Sequence, residues 1–391
     1  MSSYLSASWI YPVSSAPLKN GVIAISENGT ITGVFTALEA QEQKLTPIKQ
    51  YTGVIVPGLI NTHCHLELSH LKGKIAMHTG LPGFVQQVMQ QREKSAEEIN
   101  AAMLTADEEM YLNGIVAVGD ISNQVISREV KSGSSLYYHT FVEAMGFNPI
   151  RAAEIIEKAK ETASAFSPLK ATVVPHAPYS VSGALFAEIA QLSNVAGDAV
   201  SIHNQETMAE NDFFATKTGH FLNLYSFLGL DISFFKPAGK TSLQTYLPLL
   251  STAPRTLLVH NTFTSREDIE FATATHGNLY WCLCPNANQY IEDRLPDVEL
   301  LKRAGVKITL GTDSLASNHG LSILAEMKTI QDNYPVRFEE LLRWATLNGA
   351  DFLGISARFG SLEIDKAPGI NLIEGLVEER ITDHTRIRRL Y

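Results

Sequence analysis

Histidines and one aspartate stand in this chain at positions where metal chemistry is expected. His63 and His65 are two residues apart in the segment NTHCH. Side chains two apart on a strand point to the same side, so these imidazoles converge. The other members of the set each end an apolar run and are His203, His260 and Asp313. Imidazoles with one carboxylate suit a single divalent ion, Zn²⁺ or Fe²⁺, with a position left open for water.

Each of these residues also has an ordinary structural role as its alternative. A lone histidine at a strand end is commonly structural, and Asp313 in the segment TDS suits the N-cap of a helix. His260 ends the wholly apolar run RTLLVH, where a polar side chain needs a partner. Taken together, the residues favour the metal site, because the ends of parallel strands in one barrel meet on one face.

Further polar residues follow the same apolar runs and are candidates for acid–base chemistry or substrate binding. Glu206 follows His203 by three positions in HNQET and is the candidate acid–base group. The candidates for substrate binding are His176, Glu67, Glu143, Asn286, Asn288 and Arg294. Their alternatives are a structural role for His176 in a proline-rich turn, a salt bridge between Glu67 and Lys72, and turn or surface positions for the rest.

Eight apolar runs are spaced along the chain as buried parallel strands would be. They are residues 54–62, 115–119, 136–142, 171–175, 199–203, 256–260, 279–284 and 306–310. Helical patterns lie between most of them, for example at 152–165, 184–192 and 322–332. This alternation predicts an α/β fold, a distorted (β/α)8 TIM barrel. A doubly wound sheet is the alternative, and it is disfavoured because no GxGxxG follows the first strand.

Both ends of the chain are rich in strand and turn residues and lie outside the barrel count. Asn28-Gly29 separates two such runs and predicts a hairpin. We expect residues 1–55 plus 360–391 to form a composite β-sandwich and residues 56–359 to form the barrel. The long spacing between the fifth and sixth runs predicts a helical insertion near 207–250. The segment RFEELLRWATLNGADFLGI predicts one helix that ends at Gly354.

The composition excludes several classes of function. The chain has 391 residues, 31 Lys plus Arg and 41 Asp plus Glu, for a net charge of −10, which disfavours nucleic acid and anionic membranes as partners. No apolar run is long enough for a membrane span. Three cysteines cannot form a disulfide framework, and Cys282 and Cys284 are read as buried strand residues. We expect a cytoplasmic protein with a small-molecule heterocyclic substrate and, by analogy with other barrels, a homodimer.

The ordered segments VPGLINTHCH, HNQET, LVHNTF and LGTDS resemble the amidohydrolase superfamily, in its single-metal deaminase and chlorohydrolase branch. The resemblance covers nearly the whole chain. It implies that His63, His65, His203 and Asp313 are metal ligands and that Glu206 and His260 flank the water that attacks the substrate.

Within this branch, HCHLELSHLKG, PHAPYSVS and SIHNQETMAEN resemble the aminodeoxyfutalosine deaminases of menaquinone biosynthesis. Two segments depart from the usual pattern: Gln205 replaces the Ala of His-x-Ala-Glu, and CPNANQYIEDRLP replaces a small loop with glycine. Deamination of guanine, adenosylhomocysteine or methylthioadenosine and dechlorination of a triazine therefore remain alternatives. A metal-binding scaffold that has lost the reaction is the non-enzyme alternative.

The resemblance implies hydrolytic deamination of a 6-aminopurine nucleoside, with release of ammonia. The metal makes water nucleophilic at neutral pH. Asp313 accepts the proton of the water, His260 orients the nucleophile, and Glu206 protonates the ring nitrogen. A substrate with a benzoate-type tail also needs a basic residue, for which Arg294 and Arg151 are the candidates.

Overall fold

The computed structural model describes residues 3–195 and 197–391 of the chain. Fifteen strands lie in these two ranges. In chain order they are β1 (Ser3–Ile10), β2 (Leu18–Lys19), β3 (Val22–Ile25), β4 (Ile31–Phe35), β5 (Ile48–Pro57), β6 (Leu59–Cys64), β7 (Ile115–Ser122), β8 (Tyr137–Ala144), β9 (Lys170–Pro175), β10 (Ala199–Asn204), β11 (Arg255–His260), β12 (Leu279–Leu283), β13 (Lys307–Leu310), β14 (Ile370–Glu374) and β15 (Arg386–Arg389).

The same two ranges contain fifteen α-helices and four short 3₁₀ helices. The α-helices are α1 (Ala37–Glu42), α2 (Gly80–Gln91), α3 (Ala96–Leu112), α4 (Arg128–Gly133), α5 (Ala152–Ala165), α6 (Gly183–Leu192), α7 (Met208–Thr216), α8 (Phe221–Phe227), α9 (Ser242–Tyr246), α10 (Arg266–Thr275), α11 (Pro285–Glu292), α12 (Val298–Arg303), α13 (Ile323–Asn333), α14 (Phe338–Ala345) and α15 (Leu347–Leu353). The 3₁₀ helices are Leu66–Leu71, Pro149–Arg151, Pro178–Ser180 and Leu247–Leu249. Among the helices of the described chain, none combines the length and the hydropathy that a membrane crossing requires.

Eight parallel strands form the centre of the molecule. They belong to two four-stranded sheets, β6-β7-β8-β9 and β10-β11-β12-β13, with helical segments between successive strands. Every residue of β6, β7 and β10 is buried, as expected for strands covered on both faces. The predicted α/β fold and TIM-barrel architecture are confirmed.

Backbone contacts join the two four-stranded sheets at the carboxyl ends of their strands. On one side, the N–H of His203 donates to the carbonyl of His176 at 3.0 Å. On the other side, the N–H groups of Thr312 and Asp313 donate to the carbonyl of His63 at 3.0 and 3.1 Å. The barrel therefore closes through His63, His203 and Asp313, which are candidate metal ligands, at the face where barrels carry their active sites.

Strands from both ends of the chain form one separate seven-stranded sheet. Its order is β15-β14-β5-β1-β3-β4, and β2 pairs with β1. The central strand β5 runs parallel to β1 and antiparallel to β14. The hairpin predicted at Asn28-Gly29 is confirmed as the antiparallel pair β3 and β4. The division into a β-sandwich and a barrel at residues 55, 56, 359 and 360 stays a prediction.

The prediction of one barrel strand over residues 54–62 is wrong, because the chain leaves the terminal sheet at Pro57 and begins the barrel at Leu59. Gly58 separates the two strands, and its N–H lies 3.2 Å from the carbonyl of Pro368. A Cβ at this position would overlap Val116 and the Pro368 carbonyl. Glycine is therefore required where the two sheets approach each other closely.

The single helix predicted before Gly354 is divided into α14 and α15. Thr346 lies between them with φ −135° and ψ −82°, outside the helical region. Gly354 ends α15 with φ 72°, as the sequence predicted.

The insertion after β10 is helical and contributes to an apolar cover above the barrel. It contains α7, α8 and α9, which confirms the helical prediction. Aromatic residues of α7 and α8 pack with Leu81 and Phe84 of α2 and with Tyr290 of α11 in one buried cluster. Because α2 and α11 follow β6 and β12, the cover lies on the face where the candidate site residues gather.

Candidate metal centre

Five of the predicted site residues converge at the carboxyl ends of the barrel strands. One ligand atom from each of His63, His203, His260 and Asp313 lies within 4.8 Å of the others. The Nε2 atom of His65 lies 3.1 Å from Nε2 of His63 and 3.3 Å from an Asp313 oxygen. The Nε2 atom of His63 is 3.5 Å from the same oxygen, Oδ1. The group is buried, with only the His65 ring partly accessible.

The imidazoles of the cluster are held in their neutral form. Burial lowers the pKa of His63 to about 4, that of His65 to about 3 and that of His203 to about 4. The Nδ1 atom of His203 lies 2.8 Å from the carbonyl oxygen of His176. Because a carbonyl only accepts, this nitrogen carries the hydrogen and Nε2 keeps its lone pair for a ligand.

Asp313 stays ionised within this buried cluster. Burial alone would raise the pKa of its carboxyl, but the imidazoles of His63, His65 and His260 outweigh burial and lower the pKa well below its usual value. The hydroxyl of Ser317 donates to the second carboxylate oxygen, Oδ2. Oδ1 therefore remains directed at the histidines while Oδ2 is held by the chain.

The donor set fits a divalent cation. The Nε2 atoms of His63 and His65 face each other although neither ring carries a charge, and Nδ1 of buried His63 has no hydrogen-bond partner among the described residues. Neutral imidazoles and one ionised carboxylate are the ligand types of zinc and of other first-row metals. A cation among these atoms would be coordinated by the imidazole nitrogens and the carboxylate oxygen.

The backbone around the cluster adopts uncommon conformations. His260 has φ 79° and Asp313 has φ 56°, values that residues other than glycine seldom take. Asn61 stabilises the second of these positions: its amide oxygen accepts the N–H of Thr312 at 3.1 Å, and its amide nitrogen donates to the Thr312 hydroxyl at 2.8 Å. Strain of this kind is kept where the surrounding structure fixes a functional geometry.

Glu206 and His260 lie next to each other beside the candidate ligands. The Glu206 Oε2 atom is 3.6 Å from Nε2 of His260. Burial raises the pKa of Glu206 well above its usual value, and the charges of Asp313 and Glu292 add to this rise. The amide nitrogen of Asn288 lies 3.1 Å from Nδ1 of His260 and fixes the ring from behind. Burial therefore favours the protonated form of Glu206, whereas the histidines favour the ionised form of Asp313.

Gln205 and Glu210 form a buried network behind Glu206. The Glu210 carboxylate accepts the N–H groups of Gln205 and Glu206 at 3.0 and 3.4 Å. The Gln205 amide donates to Asp268 at 2.9 Å and to Asn211 at 3.2 Å. Gln205 has φ 45° and is fully buried, so these bonds hold it in an uncommon conformation. The network ties the turn that carries Glu206 to the insertion and to α10.

Glu143 and His176 lie on the β8 and β9 side of the cluster. The Glu143 Oε1 atom is 3.5 Å from Nδ1 of His203, and the other oxygen accepts the Asn123 amide at 2.9 Å. Burial raises the pKa of Glu143 to about 8. Glu143, His176 and His203 also have ligand atoms within 4.8 Å of one another. Because Nδ1 of His203 is engaged by the His176 carbonyl, we assign the cation to the first group of residues.

Glu67 is buried, but its partners differ from the predicted alternative. Its two carboxylate oxygens accept the backbone N–H groups of Asn123 at 3.0 Å and Gln124 at 3.3 Å. Lys72 pairs with Glu109 at 3.2 Å, so the alternative of a salt bridge between Lys72 and Glu67 is wrong. The 3₁₀ helix after His65 turns Glu67 toward the loop after β7 and Lys72 toward α3.

Asn286 and Arg294 are engaged outside the cluster. The backbone N–H and the amide nitrogen of Asn286 donate to buried Glu326 of α13, each at 3.0 Å. The guanidinium of Arg294 stacks over the ring of Phe263 at 4.6 Å, and the residue is exposed. Arg151 forms a surface ion pair with Glu154 at 2.8 Å. The contacts of Asn286 join α11 to α13, whereas Arg294 and Arg151 lie on the surface.

A buried ion pair, which was not predicted from the sequence, stabilises the chain directly after His65. Asp120 and Lys131 lie 2.7 Å apart, both side chains without solvent exposure. The second oxygen of Asp120 accepts the N–H of Leu66 at 2.8 Å, directly after His65. Asp120 follows the apolar run IVAVG, so the signal that singled out His260 was present here also.

Comparison with known proteins agrees with this geometry. The sequence matches the amidohydrolase family over residues 54–387. An adenosine deaminase of Helicobacter pylori is 28% identical over 331 residues, covering 82% of this chain and 78% of the relative. An aminodeoxyfutalosine deaminase of a Nitratiruptor species is 26% identical over 333 residues, covering 82% and 79%.

Among solved structures, the aminofutalosine deaminase of Helicobacter pylori in complex with methylthio-coformycin superimposes with a TM-score of 0.81, and all of both chains is covered. The sequence identity is 22%, so this likeness establishes the fold. The family match spans most of the chain and includes every candidate ligand. The chain belongs to the amidohydrolase family and is a hydrolase of carbon–nitrogen bonds.

Proposed function

We propose that the protein is a metal-dependent deaminase that hydrolyses the 6-amino group of a purine nucleoside and releases ammonia. Aminodeoxyfutalosine is the proposed substrate, which assigns the protein to menaquinone biosynthesis. The names of the relatives describe deaminases of adenine nucleosides and support this substrate class. The sequence segments around His65, His176 and Glu206 support the finer choice.

One feature carries the proposal: the pKa values of two buried carboxyl groups beside the same histidines are shifted in opposite directions. Burial raises the pKa of Glu206 well above its usual value. The histidines lower the pKa of Asp313 well below its usual value, against the effect of burial. Enzymes that transfer protons in both directions separate the pKa values of two groups in this way. Glu206 is therefore the proton donor and Asp313 the acceptor.

A divalent ion held by these residues would supply Lewis acidity, which makes water nucleophilic at neutral pH. Asp313 takes a proton from the attacking water while the oxygen of that water bonds to carbon 6 of the purine. Glu206 gives its proton to the adjacent ring nitrogen, which neutralises the charge that forms there. His260, which Asn288 holds at Nδ1, keeps the reacting oxygen in line. Asp313 then passes its proton to the amino group, the hydroxyl proton on carbon 6 returns to Glu206, and the carbon–nitrogen bond breaks with release of ammonia.

Zinc is the proposed metal, with Fe²⁺ as the alternative. His63, His65, His203 and Asp313 are the proposed ligands, as the family resemblance of their segments implies. Ligand atoms of His63, His203 and Asp313 lie within 4.8 Å of one another and of His260, and Nε2 of His65 lies 3.1 Å from Nε2 of His63. Three imidazole nitrogens and one carboxylate oxygen are typical of catalytic zinc, which leaves a coordination position for water.

Glu143 and His176 are the proposed contacts to the nucleoside. The Glu143 Oε1 atom is buried without a hydrogen-bond partner in the described part of the chain, so it can accept a substrate hydroxyl. His176 donates or accepts at Nε2, because Nδ1 is occupied by the Ser180 hydroxyl at 2.6 Å. Glu67 and Asn288 act by positioning other residues. Glu67 accepts the N–H of Asn123, whose amide contacts Glu143, and Asn288 contacts the ring of His260.

A reducing compartment such as the cytoplasm is the proposed location. Cys64, Cys282 and Cys284 are buried free thiols. Unpaired cysteines are typical of proteins that work where thiols stay reduced.

The experiment is a deaminase assay of the purified, zinc-loaded protein on a panel of nucleosides. The panel contains adenosine, methylthioadenosine, adenosylhomocysteine, aminodeoxyfutalosine and guanosine. We expect ammonia release from the adenine nucleosides, with aminodeoxyfutalosine giving the highest kcat/KM. A protein that acts faster on guanosine, or that releases chloride from a chlorotriazine instead, would contradict the proposed substrate class.

A further inference from the structure

A cavity of about 500 Å³ is lined in part by Glu67, which follows the candidate ligand His65 by two residues. It is lined by the 3₁₀ helix after His65, the loop between α2 and α3, the start of α3 and the loop after β7, and it is open to solvent on one side. Its apolar lining comes from Leu68, Ile99, Met103 and Ile126. This lining is suited to a flat or branched hydrocarbon group of a ligand.

Two cationic side chains, Arg92 and Lys94, complete the lining of this cavity. Neither has a hydrogen-bonded or ion-paired acceptor among residues 3–195 and 197–391, although the chain has an excess of ten acidic groups. Nearby Lys72 and Lys74, in contrast, pair with Glu109 and Glu98 at 3.2 and 3.3 Å. Two unpaired cations beside an apolar cavity favour a ligand that joins hydrocarbon to an anion.

The main chain of Arg92 is fixed while its guanidinium is free. The ring nitrogen Nε2 of His70 donates to the carbonyl oxygen of Arg92 at 3.0 Å. His70 is itself buried in the 3₁₀ helix after His65. The guanidinium is therefore presented from an anchored backbone, which reduces the entropy that binding a carboxylate would cost.

The cavity and the metal centre share a wall. Glu67 lines the cavity, and its carboxylate is held by the N–H groups of Asn123 and Gln124 at 3.0 and 3.3 Å. The Asn123 amide donates to Glu143 at 2.9 Å, and Glu143 in turn lies 3.5 Å from His203. Glu67 and Asn123 therefore connect the lining of the cavity by hydrogen bonds to Glu143, the proposed contact to the nucleoside.

We propose that this cavity is the subsite for the tail of the nucleoside substrate, and that the tail is an aromatic or aliphatic carboxylate bound by Arg92 and Lys94. The planar guanidinium forms two parallel hydrogen bonds to a carboxylate, and Lys94 adds a second positive charge. This inference rests on the proposed deaminase function and names the chemistry of its substrate. It replaces Arg294, which does not line the cavity, as the anion-binding residue.

The test compares kcat/KM for two 6-aminopurine nucleosides that differ only in the tail, a 5′-linked benzoate and its methyl ester. The variants are Arg92→Met, Lys94→Met and the double variant. The control is a double variant, Arg358→Met with Lys160→Met, which removes the same two charges at exposed positions far from the cavity. Methionine keeps the length of the apolar stem, and the backbone bond to His70 is unaffected.

We expect the wild type and the control to prefer the carboxylate. The double variant lowers the ratio of kcat/KM for the carboxylate to that for the ester by about tenfold or more, mainly through KM. An unchanged ratio overturns the subsite. A further variant, Arg294→Met, is tested in parallel, and a fall of the ratio in that variant alone also overturns the subsite. If the zinc-loaded wild type deaminates neither nucleoside, the proposed function fails and the subsite with it. If it deaminates both, only the subsite is in question.

Discussion

The Nε2 atoms of His63 and His65 lie 3.1 Å apart across the mouth of the barrel. Burial lowers the pKa of both rings far below neutrality, so neither carries a charge at pH 7. Neutral imidazole nitrogens that converge in this way are the donor type that binds zinc and similar cations. The closure of the barrel at Asp313, whose N–H donates to the carbonyl of His63, adds the carboxylate to the same point.

Replacement of one of these rings is expected to release the metal. His63→Ala leaves the purified protein with little bound zinc, measured by elemental analysis, whereas His384→Ala, at an exposed histidine of the terminal sheet, keeps it. Added zinc stabilises the wild type by about 4 kcal/mol at a thousandfold excess over the dissociation constant. A His63→Ala protein that binds zinc as tightly as the wild type would disprove the ligand assignment.

Gln205→Ala is expected to impair both folding stability and turnover. The substitution removes the amide bonds to Asp268 and Asn211 and the bond from the Thr264 hydroxyl, a loss of about 2–3 kcal/mol. Glu206 then loses its fixed position, so kcat falls by about 10- to 100-fold while zinc content is unchanged. The matched variant Gln244→Ala removes only one bond to Asp268 and has a smaller effect. Equal kcat values in the two variants would contradict a positioning role for Gln205.

We expect the loss of one partner of the Asp120–Lys131 ion pair to destabilise the protein more than the loss of both partners. Lys131→Met leaves the Asp120 charge buried without its partner and costs about 3–5 kcal/mol in the free energy of unfolding. The double variant Asp120→Asn with Lys131→Met keeps an acceptor for the Leu66 N–H and recovers a large part of this loss. Denaturant titration measures both variants. A double variant less stable than Lys131→Met would show that the pair itself stabilises the fold.

Much of this arrangement follows from local sequence pattern. The apolar runs that end in His203 and His260 predict buried parallel strands, and polar residues at their ends predict one shared face. The same rule also indicates a buried polar role for Asp120, which directly follows the apolar run IVAVG. The break at Gly58 is also visible in the sequence, since Pro57-Gly58 interrupts the apolar run over residues 54–62.

Contacts between distant segments could not be predicted in this way. Gln205 reaches Asp268, and Asn286 reaches Glu326 of α13, through packing that no periodicity encodes. Arg92 lies in a loop without an apolar pattern, so its place in a cavity depends on how α2 and α3 are folded against the barrel. Long-range packing decided which of several polar residues entered the site.

Stability is expected to fall in mild acid because His139 is buried in its neutral form. Burial lowers the pKa of His139 to about 3, whereas an unfolded histidine titrates near 6.5. The unfolded state therefore binds a proton first, and the stabilisation, complete above pH 6.5, is lost as the pH falls toward 3. Between pH 6.5 and 5 this amounts to about 2 kcal/mol. His139→Gln removes the titrating ring, and its unfolding free energy should depend less steeply on pH than that of the wild type. Parallel slopes would contradict this account.

Ammonia release by zinc-loaded Glu206→Gln, compared with the zinc-loaded wild type on the same adenine nucleoside, tests the central claim most directly. Glutamine keeps the size of the side chain but has no acidic proton to give to the ring nitrogen. We predict that zinc content stays the same and that kcat falls by about 10²- to 10⁴-fold. A variant with the same zinc content and a kcat close to that of the wild type would contradict the role of Glu206 as the proton donor.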